Sequence, residues 1–190
     1  MPKQIHPVSS SLDSSIIYQD CLPLSLRLAQ ASETLSASEQ HENLELLRAF
    51  WIFHEARTDD LKEQPELQHH LERIELKLDM QNAMLATLLR QSMELPEAVH
   101  ISLGSQYLSL TLNSQYPEGS LLRVELYLLV AYHKPLVFFA KLISQEPVSD
   151  QAYMSRFELS GLHGEGQELL EKILFRHHRR EIAQLRQKNL

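Results

Sequence analysis

Residues 67–88 read LQHHLERIELKLDMQNAMLATL, and their spacing indicates how the chain is organised. Large apolar residues recur at alternating steps of four and three residues, and a glutamine fills the one polar place in the series. Such heptad spacing puts the residues on one side of a helix and is typical of helices that pair with other helices. The residues of this seam are Leu67, Leu71, Ile74, Leu78, Gln81, Leu85 and Leu88.

The same helix has a second apolar side, which contains Leu76, Met80 and Ala83. One side can pack on a neighbouring helix of the same chain while the other binds a second copy. In the heptad register the a positions are Leu71, Leu78 and Leu85, and the d positions include Ile74, Gln81 and Leu88. Leucine at a with isoleucine at d favours more than two strands in parallel coiled coils, and a glutamine at d fixes the register. We predict self-association, with a tetramer favoured over a dimer; the alternative is a seam that only faces the core of one chain.

The overall composition narrows the classes of function. The 190 residues carry a formal net charge of −7, which argues against broad nucleic-acid binding because neutralising phosphates requires a basic surface. A single cysteine, Cys21, excludes an internal disulfide and suits a reducing cytoplasm. The N-terminal residues lack the apolar core of a signal peptide, and the longest apolar run, 126–132, is far shorter than a membrane helix. We therefore expect a cytoplasmic protein with no membrane insertion.

The first residues of the chain predict an arm followed by a strand. Residues 1–15 are polar and rich in serine, which predicts a flexible arm, so that the folded domain covers 16–190. Leucines then alternate with other residues from Leu22 to Leu28. This period of two predicts a half-buried strand, with Pro23 near its start or on an edge.

Two helices are predicted next. Ser36 and Glu39 provide capping groups for a helix over about 38–62, and Pro65 is well placed in the first turn of the helix that carries the seam. Because a short connection joins the two helices, residues 38–95 are predicted to form an antiparallel helical hairpin.

After the hairpin the pattern changes from helical to alternating. Apolar residues alternate from Val99 to Leu159 and are interrupted by turn residues, which predicts four strands of a small antiparallel sheet or barrel. A last helix is predicted over 165–188, with an apolar side and many basic residues. The fold class is therefore α+β.

The strand region resembles the core of bacterial PilZ domains. Residues 99–105 read VHISLGS and residues 116–126 read YPEGSLLRVEL, where that family has a D-x-S-x-x-G motif and then a glycine followed by alternating apolar residues. The stretch LEKILFRHHRR at 170–180 is similar to the helix that closes PilZ domains, and residues 22–26 are similar to the family's first strand. The resemblance implies a PilZ-like β-barrel interrupted by an inserted hairpin, as in the tetrameric PilZ variants whose long heptad helix assembles four subunits.

The sequence departs from the family where the family binds cyclic di-GMP. PilZ domains that bind this nucleotide use an R-x-x-x-R motif, whose guanidinium groups make charged, planar contacts with phosphate and guanine. The matching positions here are Ile17 and Cys21, and in the second motif His100 and Ser105 replace the aspartate and the glycine, while Ser102 is retained. We predict that the usual site does not bind cyclic di-GMP, and we expect no cofactor.

The residues of catalytic and metal sites are not found in recognisable patterns. The histidine pairs at 69–70 and 177–178 are adjacent in sequence, so their rings diverge, and none of the ten histidines forms an H-x-x-x-H pair. Cys21 is interpreted as a small structural hydrophobe rather than a nucleophile. There is no phosphate-binding glycine loop. We therefore expect neither an enzyme nor a metal protein.

The basic C-terminal helix allows three interpretations. It is a solvated face that suits the negative end of its own dipole, or a docking surface for an acidic protein partner through Arg176, Arg179 and Arg180. The third, nucleic-acid contact, is the least favoured, because the overall charge is negative and no aromatic residues are interleaved with the arginines. Our first hypothesis is a non-enzymatic bacterial regulator or adaptor, which the resemblance links to motility or virulence. The alternative is a cyclic di-GMP receptor with a non-standard site that uses Arg27, Arg90 or the C-terminal arginines.

Overall fold

The chain folds into an antiparallel β-barrel with three helices, and the computed structural model describes residues 17–53, 65–90, 95–129, 134–149 and 151–188. The elements are β1 Tyr18–Leu28, α1 Ala37–Phe53, α2 Pro65–Arg90, β2 Ala98–Leu103, β3 Tyr107–Leu112, β4 Leu121–Leu126, β5 Leu136–Ser149, β6 Ala152–Ser160 and α3 Glu165–Lys188. The predicted α+β class is confirmed, with two helices inserted between β1 and β2 and a C-terminal helix. The predicted arm at 1–15 lies outside the described residues.

The six strands described close into a barrel in the order β1-β2-β3-β6-β5-β4. Every neighbouring pair is antiparallel. Because successive side chains of a strand point to opposite faces, alternate residues fill the interior. The fully buried ones include Leu108, Leu110, Leu122, Leu126, Phe138 and Phe157. The alternation that predicted the strands is therefore the alternation between core and solvent.

Strand β1 changes its partner halfway along its length. Residues 18–23 pair with β2 and residues 24–28 pair with β4. Pro23 lies where the change occurs, at the middle of the strand, and its carbonyl oxygen accepts a hydrogen bond of 3.0 Å from the backbone N–H of Tyr127. The proline is thus neither near the start of β1 nor on a free edge; it is tolerated because its missing N–H falls between two ladders.

The strand count differs from the prediction. Five strands, and not four, follow the inserted helices, because a turn at 104–106 divides the first alternating segment into β2 and β3. In this turn the backbone N–H of Gly104 donates to the carbonyl of Tyr107 at 2.7 Å. Pro147 does not end a strand but lies inside β5, beyond Lys141, the last residue that pairs with β4. On that free edge the missing N–H of a proline breaks no ladder.

Helix α1 starts with the predicted cap. The backbone N–H of Ser36 donates to the Glu39 carboxylate at 2.7 Å, and the N–H of Glu39 donates to the Ser36 hydroxyl at 3.2 Å. This reciprocal pair satisfies two N–H groups that the first turn leaves free. A buried polar contact then fixes the helix to β5, where Asn43 bonds to the backbone of Val137.

The apolar side of α1 is covered differently from the prediction. Leu46, Leu47 and Phe50 share a core with the barrel and with α3, which contributes Leu170 and Leu174. In the described residues α1 packs on α3 and β5, and α2 is not its main neighbour. Two helices follow one another between β1 and β2, as predicted, whereas the packing partner of α1 is the C-terminal helix. Residues 54–62, the rest of the predicted first helix, lie outside the described chain.

Candidate functional site

A groove of about 460 Å³ lies across β1, β2 and β3 on the outside of the barrel. The strand register builds it, since Cys21 pairs with His100, Gln19 pairs with Ser102, and Ser102 pairs with Ser109. Directly paired residues of antiparallel strands point to the same face. The groove is lined by Gln19, Asp20, Cys21, His100, Ile101, Ser102, Ser109, Leu110, Thr111 and Met154.

The charge of this groove does not suit phosphate. None of its lining residues is a lysine or an arginine, and one of them, Asp20, carries a carboxylate. Asp20 accepts hydrogen bonds from the hydroxyl of Tyr18 at 2.6 Å and from the backbone N–H of Cys21 at 2.7 Å. Burial of the tyrosine, and then its hydrogen bond to Asp20, raise the pKa of Tyr18 above its usual value. The hydroxyl thus stays protonated and holds the carboxylate in place.

The groove brings together three of the five residues that match the nucleotide motifs. Cys21, His100 and Ser102 line it. Ile17 precedes β1 and is half-buried, and Ser105 lies in the turn after β2, where its carbonyl accepts a hydrogen bond of 2.9 Å from the Gln167 side chain. Neither of these two lines the groove.

Sequence reasoning did not assign the other seven lining residues to a site. They are Gln19, Asp20, Ile101, Ser109, Leu110, Thr111 and Met154. The alternation of β3 places Ser109 and Thr111 on the outside, so that signal was present in the sequence. The contact with Met154 depends on the pairing of β3 with β6, which is not readable before the strand order is known.

The second candidate site is the seam on α2. Every described side chain of this 26-residue helix is exposed. The apolar members of the seam are between 39% and 62% exposed: Leu67, Leu71, Ile74, Leu78, Leu85 and Leu88. On the opposite side Leu76, Met80 and Met84 are also exposed. Met84 was missed although its spacing of four residues from Met80 places it on the same side of the helix. A single copy of the chain therefore leaves both apolar sides of α2 open.

The three C-terminal arginines do not form one patch. The guanidinium of Arg176 lies 3.1 Å from the ring centre of Trp51 on α1, and it donates to the Trp51 carbonyl at 3.4 Å. Arg180 is half-buried and lines a small cavity between α1 and α3, whereas Arg179 is exposed, 5.9 Å from the ring centre of Phe175. The three arginine side chains therefore differ in how accessible they are to a partner protein.

Arg27 and Arg90 are the other two arginines considered for a nucleotide site, and a further arginine, Arg123, lies near Arg27 because both contact Glu33. Arg27 pairs with the carboxylate of Glu33. Arg123, only 14% exposed, contacts Glu39 at 2.5 Å and Glu125 at 3.3 Å. The hydrogen bonds from Ser36, and then Arg123, lower the pKa of Glu39 to about 2. The side chain of Arg90 lies outside the described part of the structure.

Two kinds of feature are absent from the described residues. No helix in these residues is both long and apolar enough to cross a membrane. Within the same residues, no three histidine, cysteine, aspartate or glutamate side chains are grouped so that they could hold a metal ion.

The closed six-stranded antiparallel barrel, with two helices inserted after its first strand and a helix at its end, defines the PilZ class of fold. A family model described as an atypical PilZ domain, cyclic di-GMP receptor, matches residues 47–187. The chain belongs to this atypical PilZ family.

A solved structure shares this fold. It is a pathogenic protein from Xanthomonas campestris, described as a new tetrameric PilZ domain self-assembled via an unusual helical bundle. The match has a TM-score of 0.67 and 22% sequence identity, and it covers 90% of this chain and 93% of the other. No curated protein matches the chain at a significant level.

Proposed function

We propose that this protein is a non-enzymatic regulatory adaptor of the cytoplasm that assembles through the α2 seam, as a tetramer. The observation that carries the proposal is the exposure of the seam along the length of α2. In this view the barrel is a module for contacts with other proteins, and the helix sets how many barrels act together. A role in motility or virulence is part of the proposal and rests on the resemblance to degenerate PilZ proteins.

The exposure of α2 is energetically unfavourable for a single copy. Burying a leucine side chain stabilises a protein by about 1.5–3 kcal/mol, and the seam holds five leucines and one isoleucine. Most of the stability of a helix in a protein comes from the packing of its apolar side, so a helix with this seam depends on a partner. A bundle of copies supplies that packing. The tetramer described for the Xanthomonas campestris protein supports the same number here.

The groove supports a role that does not depend on cyclic di-GMP at the usual site. Each charged arginine contact contributes about 1.5–3 kcal/mol, so losing two weakens binding by about two to four powers of ten. Ile17 and Cys21 provide no replacement, and the carboxylate of Asp20 repels phosphate. A receptor whose ligand site has changed in this way can still act through its surface.

Sedimentation equilibrium of the purified protein tests the assembly. We expect a tetramer for the wild type and smaller species for Leu78→Asp, because the substitution places a charge in the middle of the seam. Thr87→Asp introduces the same charge on the side of α2 away from the seam and is expected to leave the tetramer intact. A monomeric wild type would contradict the proposal.

A second candidate function is favoured by one observation, the description of the matched family as a cyclic di-GMP receptor. Such a receptor would need a non-standard site with Arg27, Arg90 or the C-terminal arginines. Arg27 and Arg176 already have partners in Glu33 and Trp51, which weakens this candidate. Isothermal titration with cyclic di-GMP separates the two functions: a micromolar or tighter Kd would favour the receptor, and no measurable heat would favour the adaptor.

A further inference from the structure

We infer that Gln81 makes the α2 helices of neighbouring copies pair in parallel and in register, so that the seam of one copy meets the same residues of the next. The inference rests on the proposed self-assembly and adds its geometry. It concerns the single polar residue of the seam, which is exposed on α2 like its apolar neighbours.

Parallel pairing gives Gln81 a polar partner. In a parallel coiled coil that is in register, each a or d residue lies in the same layer as its own copy. The amide of Gln81 then faces the same amide of the second copy, and one carbonyl oxygen can accept from the other NH₂ group. A buried amide that is hydrogen-bonded in this way loses little on leaving water.

Antiparallel pairing gives Gln81 an apolar partner instead. In that orientation a residues share layers with d residues, and Gln81 lies off the middle of the seam, nearer to Leu88 than to Leu67. The two antiparallel registers that cover most of the seam place Gln81 opposite Leu71 or Leu78. The amide is then buried without a matching amide, which disfavours this orientation by on the order of tenfold to a hundredfold.

The charges beside the seam disfavour one of the two antiparallel registers. In parallel, Lys77 lies beside Asn82 of the second copy and His70 lies beside Glu75, so like charges do not meet. In the antiparallel register that pairs Gln81 with Leu71, Lys77 lies beside Lys77 and Glu75 beside Glu75. Like charges placed opposite each other are destabilising.

The orientation decides where the barrels are. Helix α2 is about 39 Å long, because it has 26 residues that each rise about 1.5 Å. The short connection 91–97 keeps β2, and with it the barrel, near the C-terminal end of α2. Parallel helices therefore gather all barrels at one end of the bundle, where copies of one surface can bind a repeated partner with increased avidity.

Cross-linking of the full-length chain tests the orientation. In a Cys21→Ser background, Leu67→Cys and Leu88→Cys variants with different tags are co-expressed and treated with a short bismaleimide. We expect 67–67 and 88–88 cross-links and no 67–88 cross-link. In an antiparallel pair the two 67 positions are about 27 or 38 Å apart along the axis, depending on the register, so only 67–88 links form. Their appearance would overturn the inference while leaving self-assembly intact.

A second variant tests the role of Gln81 itself. We expect Gln81→Leu to raise the Tm of the assembly and to add 67–88 cross-links to the 67–67 and 88–88 links, because the amide no longer distinguishes the orientations. Leu85→Ile, a change of shape without polarity at a nearby seam position, is the control and keeps the parallel pattern. If Gln81→Leu remains wholly parallel, Gln81 does not set the orientation. If sedimentation finds a monomer and no links form, the proposed self-assembly fails as well.

Discussion

Asn43 of α1 makes two hydrogen bonds with the backbone of Val137 of β5. Its side-chain NH₂ donates to the Val137 carbonyl at 2.6 Å, and its side-chain oxygen accepts from the Val137 N–H at 2.8 Å. Val137 lies beyond Phe139, the last residue of β5 at this end that pairs with β6. The amide therefore takes the place that a longer β6 would occupy, and it fixes α1 to the barrel.

Removing this amide is expected to cost much stability. Asn43 is 2% exposed, so Asn43→Ala leaves two buried backbone groups without partners, and each costs about 1–3 kcal/mol. We predict a loss of about 2–4 kcal/mol in the free energy of unfolding, measured by urea denaturation. Gln40→Ala, on the same helix but exposed, is the control and should lose less than half as much. Equal losses in both variants would show that the strand-like contact is unimportant.

The stability of the protein should depend on pH through Glu39. Its pKa is lowered from 4.5 to about 2 in the folded state, first by hydrogen bonds from Ser36 and then by Arg123. A carboxyl group whose pKa falls on folding stabilises the folded state above its unfolded pKa. That contribution is therefore present above about pH 4.5 and is lost as the pH falls towards 2.

The measurement is urea denaturation of the wild type and of Glu39→Gln between pH 2 and 6. The glutamine can keep the hydrogen bond to Ser36 but carries no charge for Arg123. We expect the difference in stability between the two proteins to be largest near pH 6 and to shrink at acidic pH. A difference that stays constant over this range is the contrary result.

Two neighbouring arginines of α3 should behave differently when removed. Arg176 covers the Trp51 ring and is half-buried, whereas Arg179 is exposed. We predict that Arg176→Ala lowers the free energy of unfolding by about 1–2 kcal/mol, through lost cation–π and packing contacts, and that Arg179→Ala changes it by less than about 0.5 kcal/mol. Thermal unfolding of both variants checks this. If a partner docks on this helix, loss of binding without loss of stability should be found at Arg179.

Nucleotide binding should be gained by placing arginines at the two positions that match the R-x-x-x-R motif, Cys21 in the groove and Ile17 just before β1. Each charged contact contributes about 1.5–3 kcal/mol, so Ile17→Arg with Cys21→Arg is expected to increase affinity for cyclic di-GMP by at least about a hundredfold. Isothermal titration measures the change. The control variant, Ser149→Arg with Gln151→Arg, gains the same charge at the β5–β6 turn and should not bind. Tight binding by the control would mean that charge alone, and not the groove, attracts the nucleotide.

Whether an element is a helix or a strand could mostly be predicted from the sequence. This is because apolar residues recur with the period at which side chains of that element face the core. The alternation of Leu108 and Leu110 indicated a strand, and the Ser36 and Glu39 cap indicated a helix start; both are local features. What covers α1 could not be predicted, because that depends on α3, far away in sequence. The division between β2 and β3 was missed since the turn at Gly104 has apolar alternation on both sides.

The residues of the candidate sites could likewise be predicted where they are close together in the sequence, and not where distant elements bring them together. The seam follows from spacing within one helix, so its residues could be named in full. The groove combines Cys21, His100 and Met154 from three strands. Only Cys21 and His100 could be placed together from the sequence, because both match motif positions of the PilZ family. The stacking of Arg176 on Trp51 joins α3 to α1, and the sequence alone does not predict that these two helices are in contact. Contacts between distant elements are therefore the part that requires a structure.

The change of partner along β1 affects how the chain reaches its native state. Both neighbours of β1 come later in the chain, and the two inserted helices separate β1 from β2. Contacts between residues this far apart form slowly, because a long loop must close first. On the ribosome α2 is made before β2 to β6. Its apolar residues can therefore contact other chains before the barrel has closed. We expect folding to be slow and sensitive to protein concentration, with nascent neighbours competing for the same helix.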